Sequence, residues 1–280
     1  MDWTKSKNIF IIVLLVTNLI LLGLYFSKNI QYRGRDESWR FGREVKKVLE
    51  RGDIHVKTSI PGKSPQLPTF KVAYESADGP RLNQRFFGGL GEITRNEATY
   101  LQLVYGEASV HFIDGRRLLY EAPGHIGQAV SGERAQQIAL EFLELRGFDT
   151  QDMELVDVKE QGDEVLLSYT AKVKGHYLES TYTYITVSGA QVSSMDRLWV
   201  NLLEKRPEKR APMPAAKALL HLLDQPEMAG KTIVDIAPCY YFNPEEQGAV
   251  EDLTRTLEGS SSVGWRLSFE DGTELVLPGE

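Results

Sequence analysis

One cysteine, Cys239, stands in the 280 residues, so the chain can close no disulfide within itself. Extracytoplasmic domains of this size often have none, because a large core makes such staples unnecessary; cysteine usage therefore leaves that location open. Cys239 lies in the apolar run IAPCYYF and reads as a buried thiol. A basic excess is missing too. Lys and Arg number 32 against 39 Asp and Glu, for a formal charge of −7. Leaving out residues 1–28 removes Lys5, Lys7 and Lys28 together with Asp2, and the remainder carries 29 positive and 38 negative charges, or −9. An acidic domain without a basic stripe argues against nucleic acid as a partner.

The motifs of common enzymes are also absent. A phosphate-binding loop ending in Gly62-Lys63-Ser64 needs a glycine five positions earlier, and Lys57 stands there. Gly88-Gly89-Leu90-Gly91 lacks the strand–turn–helix setting of a dinucleotide site and reads as a flexible loop. There is no G-x-S-x-G nucleophile elbow. No pair among His55, His111, His125, His176 and His221 has zinc-ligand spacing, and His221, in an apolar helical stretch, reads as a packing residue. Glu245-Glu246 and Glu251-Asp252 fall in a polar stretch and read as solvated. No catalytic residue, cofactor or metal ligand is nominated, and a non-enzymatic protein is expected.

What the sequence does hold is one long apolar run, Ile9 to Phe26, IFIIVLLVTNLILLGLYF, with no charged residue. At 1.5 Å per residue a helix of this length spans roughly 27 Å, close to the hydrocarbon core of a bilayer. The run is longer than a signal-peptide core, and its exit LGLYFSKN lacks a small-x-small cleavage pattern. No cysteine follows it, which excludes a lipoprotein anchor. We expect a tail over 1–8 and an uncleaved transmembrane helix over 9–26. Lys5 and Lys7 precede the run, while Lys28, Arg33, Arg35, Arg40 and Arg43 follow it. Charge counting favours a cytoplasmic C-terminal side, yet a domain of this length translocates despite its charges, so orientation stays open on these grounds. Asn18 shares a helical face with Leu14, Leu22 and Tyr25, and Thr17 is adjacent. A mid-bilayer asparagine either bonds to a neighbouring helix, for roughly 0.6–2 kcal/mol, or is tolerated while Thr17 bonds its own backbone. Leu14, Thr17, Asn18, Leu22 and Tyr25 are the candidate partner interface.

The rest reads as α+β. A juxtamembrane linker and amphipathic helix fill 27–52: Phe41, Val45, Val48 and Leu49 share one face of a helix over 37–51, with Gly52 as its cap. Arg40, Arg43, Lys46 and Lys47 lie either near lipid headgroups or on a solvated face. Over 53–125 the apolar period shortens toward two, predicting a mostly antiparallel β domain. Pro61, Pro65 and Pro68 mark a loop between its first two strands, and Asp114-Gly115 marks a hairpin. Ser131 caps a helix with Ala135, Ile138, Ala139, Phe142, Leu143 and Leu145 as its apolar stripe and Gly147 as its stop. Strands follow over 154–159, 164–173, 177–187 and 191–200, the third alternating as a one-sided strand should. A charged link over 204–214 precedes a helix over 215–223, a strand over 232–242, a polar excursion over 243–262 with a flexible Gly259-Ser-Ser-Ser262, and a hairpin around Asp271-Gly272. Segments 126–203 and 204–280 thus share one plan, a helix followed by an antiparallel meander.

The opening Met1-Asp2-Trp3-Thr4-Lys5-Ser6-Lys7 before an apolar run, the two helix-then-meander units, and the closing Gly264-Trp265-Arg266-Leu267 with Asp271-Gly272 resemble the YycI family. The 243–262 excursion has no counterpart in that pattern. The resemblance implies a non-enzymatic, single-pass regulator in the cell membrane of a Gram-positive bacterium, with a cytoplasmic N-terminus and an extracytoplasmic domain. It further implies association with a WalK (YycG) sensor histidine kinase that governs cell-wall metabolism, and with a YycH-like protein. The alternative expectation is an anchored extracytoplasmic binding module for a small ligand or wall fragment.

Overall fold

A computed structural model describes residues 14, 17 and 18, 35–123 (35–38 as backbone), 129–244 and 257–279. Among these, no helix is long and apolar enough to cross a membrane. The expected span 9–26 lies outside the described residues except for Leu14, Thr17 and Asn18, which are helical and exposed.

Helix α1, Arg35–Arg51, buries Val45 and Leu49 but leaves Phe41 and Val48 exposed. The expected face is rotated: Gly42, not Phe41, lies inward, with Ile60 packed against it. The left-handed residue that ends this helix is Asp53 rather than Gly52. The region expected to be mostly β contains a second helix, α2, Gly79–Phe87. Asp78 caps it through the Arg81 amide, Pro80 sits in its first turn, and Gly88 ends it with φ +59°. The glycine cluster is therefore a helix stop, held by the paired bonds between Asn83 and the Gly91 backbone. Helix α3, Gly132–Leu145, starts at Ser131 as expected; Leu145, however, is solvent-exposed, since Phe148 takes its place in the core.

Strands β1 (His55–Val56), β2 (Leu67–Tyr74), β3 (Glu92–Glu97), β4 (Tyr100–Tyr105), β5 (Ala108–Ile113) and β6 (Arg117–Glu121) precede α3. Pro68 lies inside β2 rather than in the loop before it. After α3 come β7 (Met153–Gln161), β8 (Glu164–Val173), β9 (His176–Ser188) and β10 (Gln191–Leu198). The charged stretch expected as a link is itself a strand, β11, Val200–Arg210, antiparallel to β2. It is an edge strand, so its charges face water, and Pro207 coincides with a break in register between Lys205 and Lys209. Helix α4, Ala215–Leu219, passes into a 3₁₀ turn over Leu220–Asp224, on which His221 is exposed rather than packed. Strands β12 (Thr232–Tyr241), β13 (Glu258–Ser260), β14 (Ser262–Phe269) and β15 (Glu274–Pro278) complete the chain. Gly259-Ser-Ser-Ser262, expected to be flexible, is zipped to β2: Ser261 is buried and its hydroxyl accepts from the Phe70 amide at 2.9 Å. Residues 245–256 of the polar excursion lie outside the described residues.

Twelve of these strands form one sheet, ordered β15-β14-β12-β9-β10-β6-β5-β4-β3, with β8 and β7 on the other edge of β9 and β1 beside β12. Strands β11, β2 and β13 form a second. Helices α2 and α3 cover one face of the large sheet through Leu82, Phe86, Phe142 and Leu143 against Leu103, Leu167, Ile185 and Met195. Helices α1 and α4 cover the β12-β14-β15 end, against Trp265, Leu267 and Phe269. A third core, holding Phe70, Trp199, Tyr240 and Val263, fills the space between the two sheets. The architecture is α+β with antiparallel-rich sheets.

Candidate functional site

Strand β9 is where the sheet divides. Its C-terminal half pairs with β10, whereas Leu178 near its start pairs with Tyr240 of β12 in parallel. Its other edge, against β8, slips between Tyr169 and Ala171. Thr181 repairs the interrupted ladder: its hydroxyl accepts from the Ala171 amide at 3.0 Å and donates to the Leu178 carbonyl at 2.6 Å. Ser180 ties the bulge to the end of β12, donating to the Phe242 carbonyl at 2.9 Å and accepting from its amide at 3.0 Å. A bulge re-aims the side chains beside it. Here it carries Glu179 across β12 to Arg266 on β14, with Oε1 2.9 Å from the guanidinium Nε.

Arg266 is shared. Its Nε–H also faces Glu274 at 3.2 Å, its Nη2 bonds Glu274, and its guanidinium lies 4.1 Å over the Tyr177 ring. One cation thus serves two carboxylates. The better-placed Glu274 takes the hydrogen bonds, and Glu179 Oε1 has a close cation but no bond in line. Burial, with the repulsion of Glu274, outweighs the attraction of Arg266 and pushes the Glu179 carboxyl up to about 7. Cys239 lies nearby, fully buried as expected, and burial drives its thiol well above the ordinary range. It is not a nucleophile.

On the face of the large sheet turned away from α2 and α3, the described residues leave a surface around Tyr184 exposed. Two adjoining grooves run across it and meet at Tyr184. One, of about 500 Å³, is lined by Leu119 and Glu121 of β6, Lys159 of β7, Leu166 and Ser168 of β8, and Ser194 and Asp196 of β10. The other, of about 340 Å³, runs toward Phe242, Glu179 and Glu274. Tyr182 and Tyr184 stack along β9 with ring centroids 4.9 Å apart, and Tyr184 is 44% exposed. Arg117 clamps Asp196 through two bonds, at 2.9 and 2.7 Å. Rigid aromatics, aliphatic side chains and fixed charges on a broad open surface are the composition of a protein-recognition face. The β9 alternation holds the signal for the tyrosines; the Glu179–Arg266–Glu274 group has none, since sequence does not reveal which strands are neighbours.

Behind this face a buried charge fixes the sheet. Arg197, 2% exposed, donates to Glu75 at 2.7 Å and to Thr183 at 2.8 Å, and its guanidinium lies 4.3 Å over the Trp199 ring. Among the described residues no three His, Cys, Asp or Glu side chains converge to hold a metal ion. Of the expected interface, Leu14, Thr17 and Asn18 are helical and exposed, and Leu22 and Tyr25 lie outside the described residues.

No protein-family model and no curated protein matches the sequence. Solved structures do. YycH from Bacillus subtilis matches with a TM-score of 0.51 at 12% identity, over 78% of this chain and 53% of that one. The match thus spans about half the length of YycH. An uncharacterised protein from Eubacterium rectale matches at 0.48 and 11% identity, over 76% of this chain and 82% of that one. The C-terminal domain of YpeB from Bacillus megaterium matches at 0.38 and 9% identity, over 74% of this chain and 94% of that one. The likeness to YycH defines the class: this chain has a YycH-like fold.

Proposed function

We propose that this protein is a non-enzymatic, membrane-anchored regulator of a sensor histidine kinase of the WalK (YycG) type, acting with a YycH-like partner. The observation that carries the reading is the YycH-like fold over 78% of the chain. The apolar run 9–26, the YycI-like N-terminal motif and the closing Trp265 hairpin support it. On this reading 9–26 crosses the cell membrane with the folded domain outside, and Asn18 with Leu14, Thr17, Leu22 and Tyr25 packs against the kinase's membrane helices. The Tyr182–Tyr184 face engages a partner's outer domain. Such a regulator shifts the kinase between signalling states only by binding one state more tightly than the other.

Co-purification of the full chain with the kinase from solubilised membranes tests this. Asn18→Leu is expected to reduce recovery about threefold or more, the weight of one interhelical hydrogen bond. Tyr182→Ser with Tyr184→Ser should reduce it further. Undiminished recovery in both variants would remove both surfaces from the mechanism, and no recovery of the unaltered chain would end the proposal. One observation favours the second reading, a binding module for a small ligand or wall fragment. The groove beside Glu179 is lined by β7, β8, β9 and β10 with Phe242 and Glu274 at its far end, and at about 340 Å³ it is of ligand size.

A further inference from the structure

The first turns of α1 differ from the rest of that helix. Val45 and Leu49 are locked into the core, yet Trp39 is 64% exposed and Phe41 46% exposed. The Arg43 guanidinium lies 4.8 Å over the Trp39 ring, so cation and indole form one exposed plate. Arg40 stands between the two aromatics and is also exposed. Residues 35–51 hold six basic and four acidic side chains, or +2, in a chain whose total is −7. Indole and guanidinium together are the side chains that settle at a bilayer's headgroup level, ring toward the acyl chains and charge toward phosphate. Eight residues, 27–34, separate the apolar run from α1 and reach at most roughly 28 Å when extended. A bilayer crossed by 9–26 is therefore within reach of Trp39.

We propose that the Trp39–Arg43 end of α1 docks into the headgroup layer of an anionic bilayer, seating the folded domain on the membrane. The proposal rests on 9–26 being a span. Lipid is favoured over a protein surface because the chain itself delivers this end of α1 to the bilayer. In addition, Arg40 and Arg43 give residues 38–43 two positive charges and no negative one, which complements anionic headgroups.

The full chain is reconstituted into vesicles of phosphatidylcholine with phosphatidylglycerol, using lipids either plain or brominated high on the acyl chain. The emission of Trp39 is taken as the difference between the chain and Trp39→Phe; this cancels Trp3 and the buried Trp199 and Trp265, each 1% exposed. Brominated lipid is expected to quench that difference about twofold. Arg40→Gln with Arg43→Gln, or vesicles of phosphatidylcholine alone, should weaken the quenching. A Trp39 signal blind to bromine and open to aqueous iodide, in a chain that floats with the vesicles, overturns the docking and leaves the span intact. Shielding from iodide that needs kinase-bearing membranes assigns the face to a protein and overturns it equally. A chain that fails to float after an alkaline wash refutes the span and the docking together.

Discussion

Glu179 shows how a backbone irregularity sets a side chain's chemistry. The bulge in β9 delivers a carboxyl into a buried setting where Arg266 is already committed to Glu274. Because its folded value, about 7, lies above the ordinary 4.5, the folded protein holds a proton that the unfolded chain releases between those values. The associated stability is fully present below about pH 4.5 and is lost as pH rises through 7. The shift corresponds to a contribution on the order of 3 kcal/mol. Arg266 and Glu274 are the charged groups that bear on this carboxyl, the first opposing the shift and the second adding to it. Urea unfolding of the protein across this range should show a midpoint that falls with pH, and Glu179→Gln should flatten the slope. An unchanged slope in the variant would mean that Glu179 titrates in its ordinary range.

At the scale of elements, β14 is tightly constrained. A Cβ on Gly264 would sit 2.5 Å from the Leu277 carbonyl oxygen of β15 and 3.1 Å from the Tyr241 ring. Backbone on one side and a packed ring on the other cannot yield, so Gly264→Ala should destabilise by roughly 2–3 kcal/mol, read as a lower urea midpoint. A midpoint within error of the parent would show that β15 is held loosely. Much of this level is legible in the sequence. Ser131, Glu133 and an apolar stripe announce α3, and Gly106 and Asp114-Gly115 take the positive φ that their hairpins need. Helix α2 was also signalled, by Asp78, Pro80 and Gly88, but nine residues with only Leu82, Phe86 and Phe87 buried give too short a period to register. Strand β11 is hidden for another reason. Its stability comes from pairing with β2, a partner remote in sequence, while its own residues read as a charged link. The same gap conceals the site. Alternation along β9 puts Tyr182 and Tyr184 on one face, but nothing local shows that this face is the exposed one, that β6, β8 and β10 flank it, or that Glu179 meets Arg266.

For the whole molecule, the fold divides labour between two faces of one sheet. Helices α2 and α3 cover one, where the buried Arg197 pairs with Glu75; among the described residues the other carries exposed grooves around stacked tyrosines. The proposed regulator, anchored, seated on a bilayer and open to a partner, draws on the YycH-like fold, the apolar N-terminal run and the basic aromatic end of α1. The direct measurement is autophosphorylation of the kinase reconstituted in vesicles with increasing amounts of the full chain. The account predicts a saturable change in rate, diminished by Asn18→Leu and by Tyr182→Ser with Tyr184→Ser. A rate that stays constant as the chain is added to saturation, in the presence of the YycH-like partner, would contradict it.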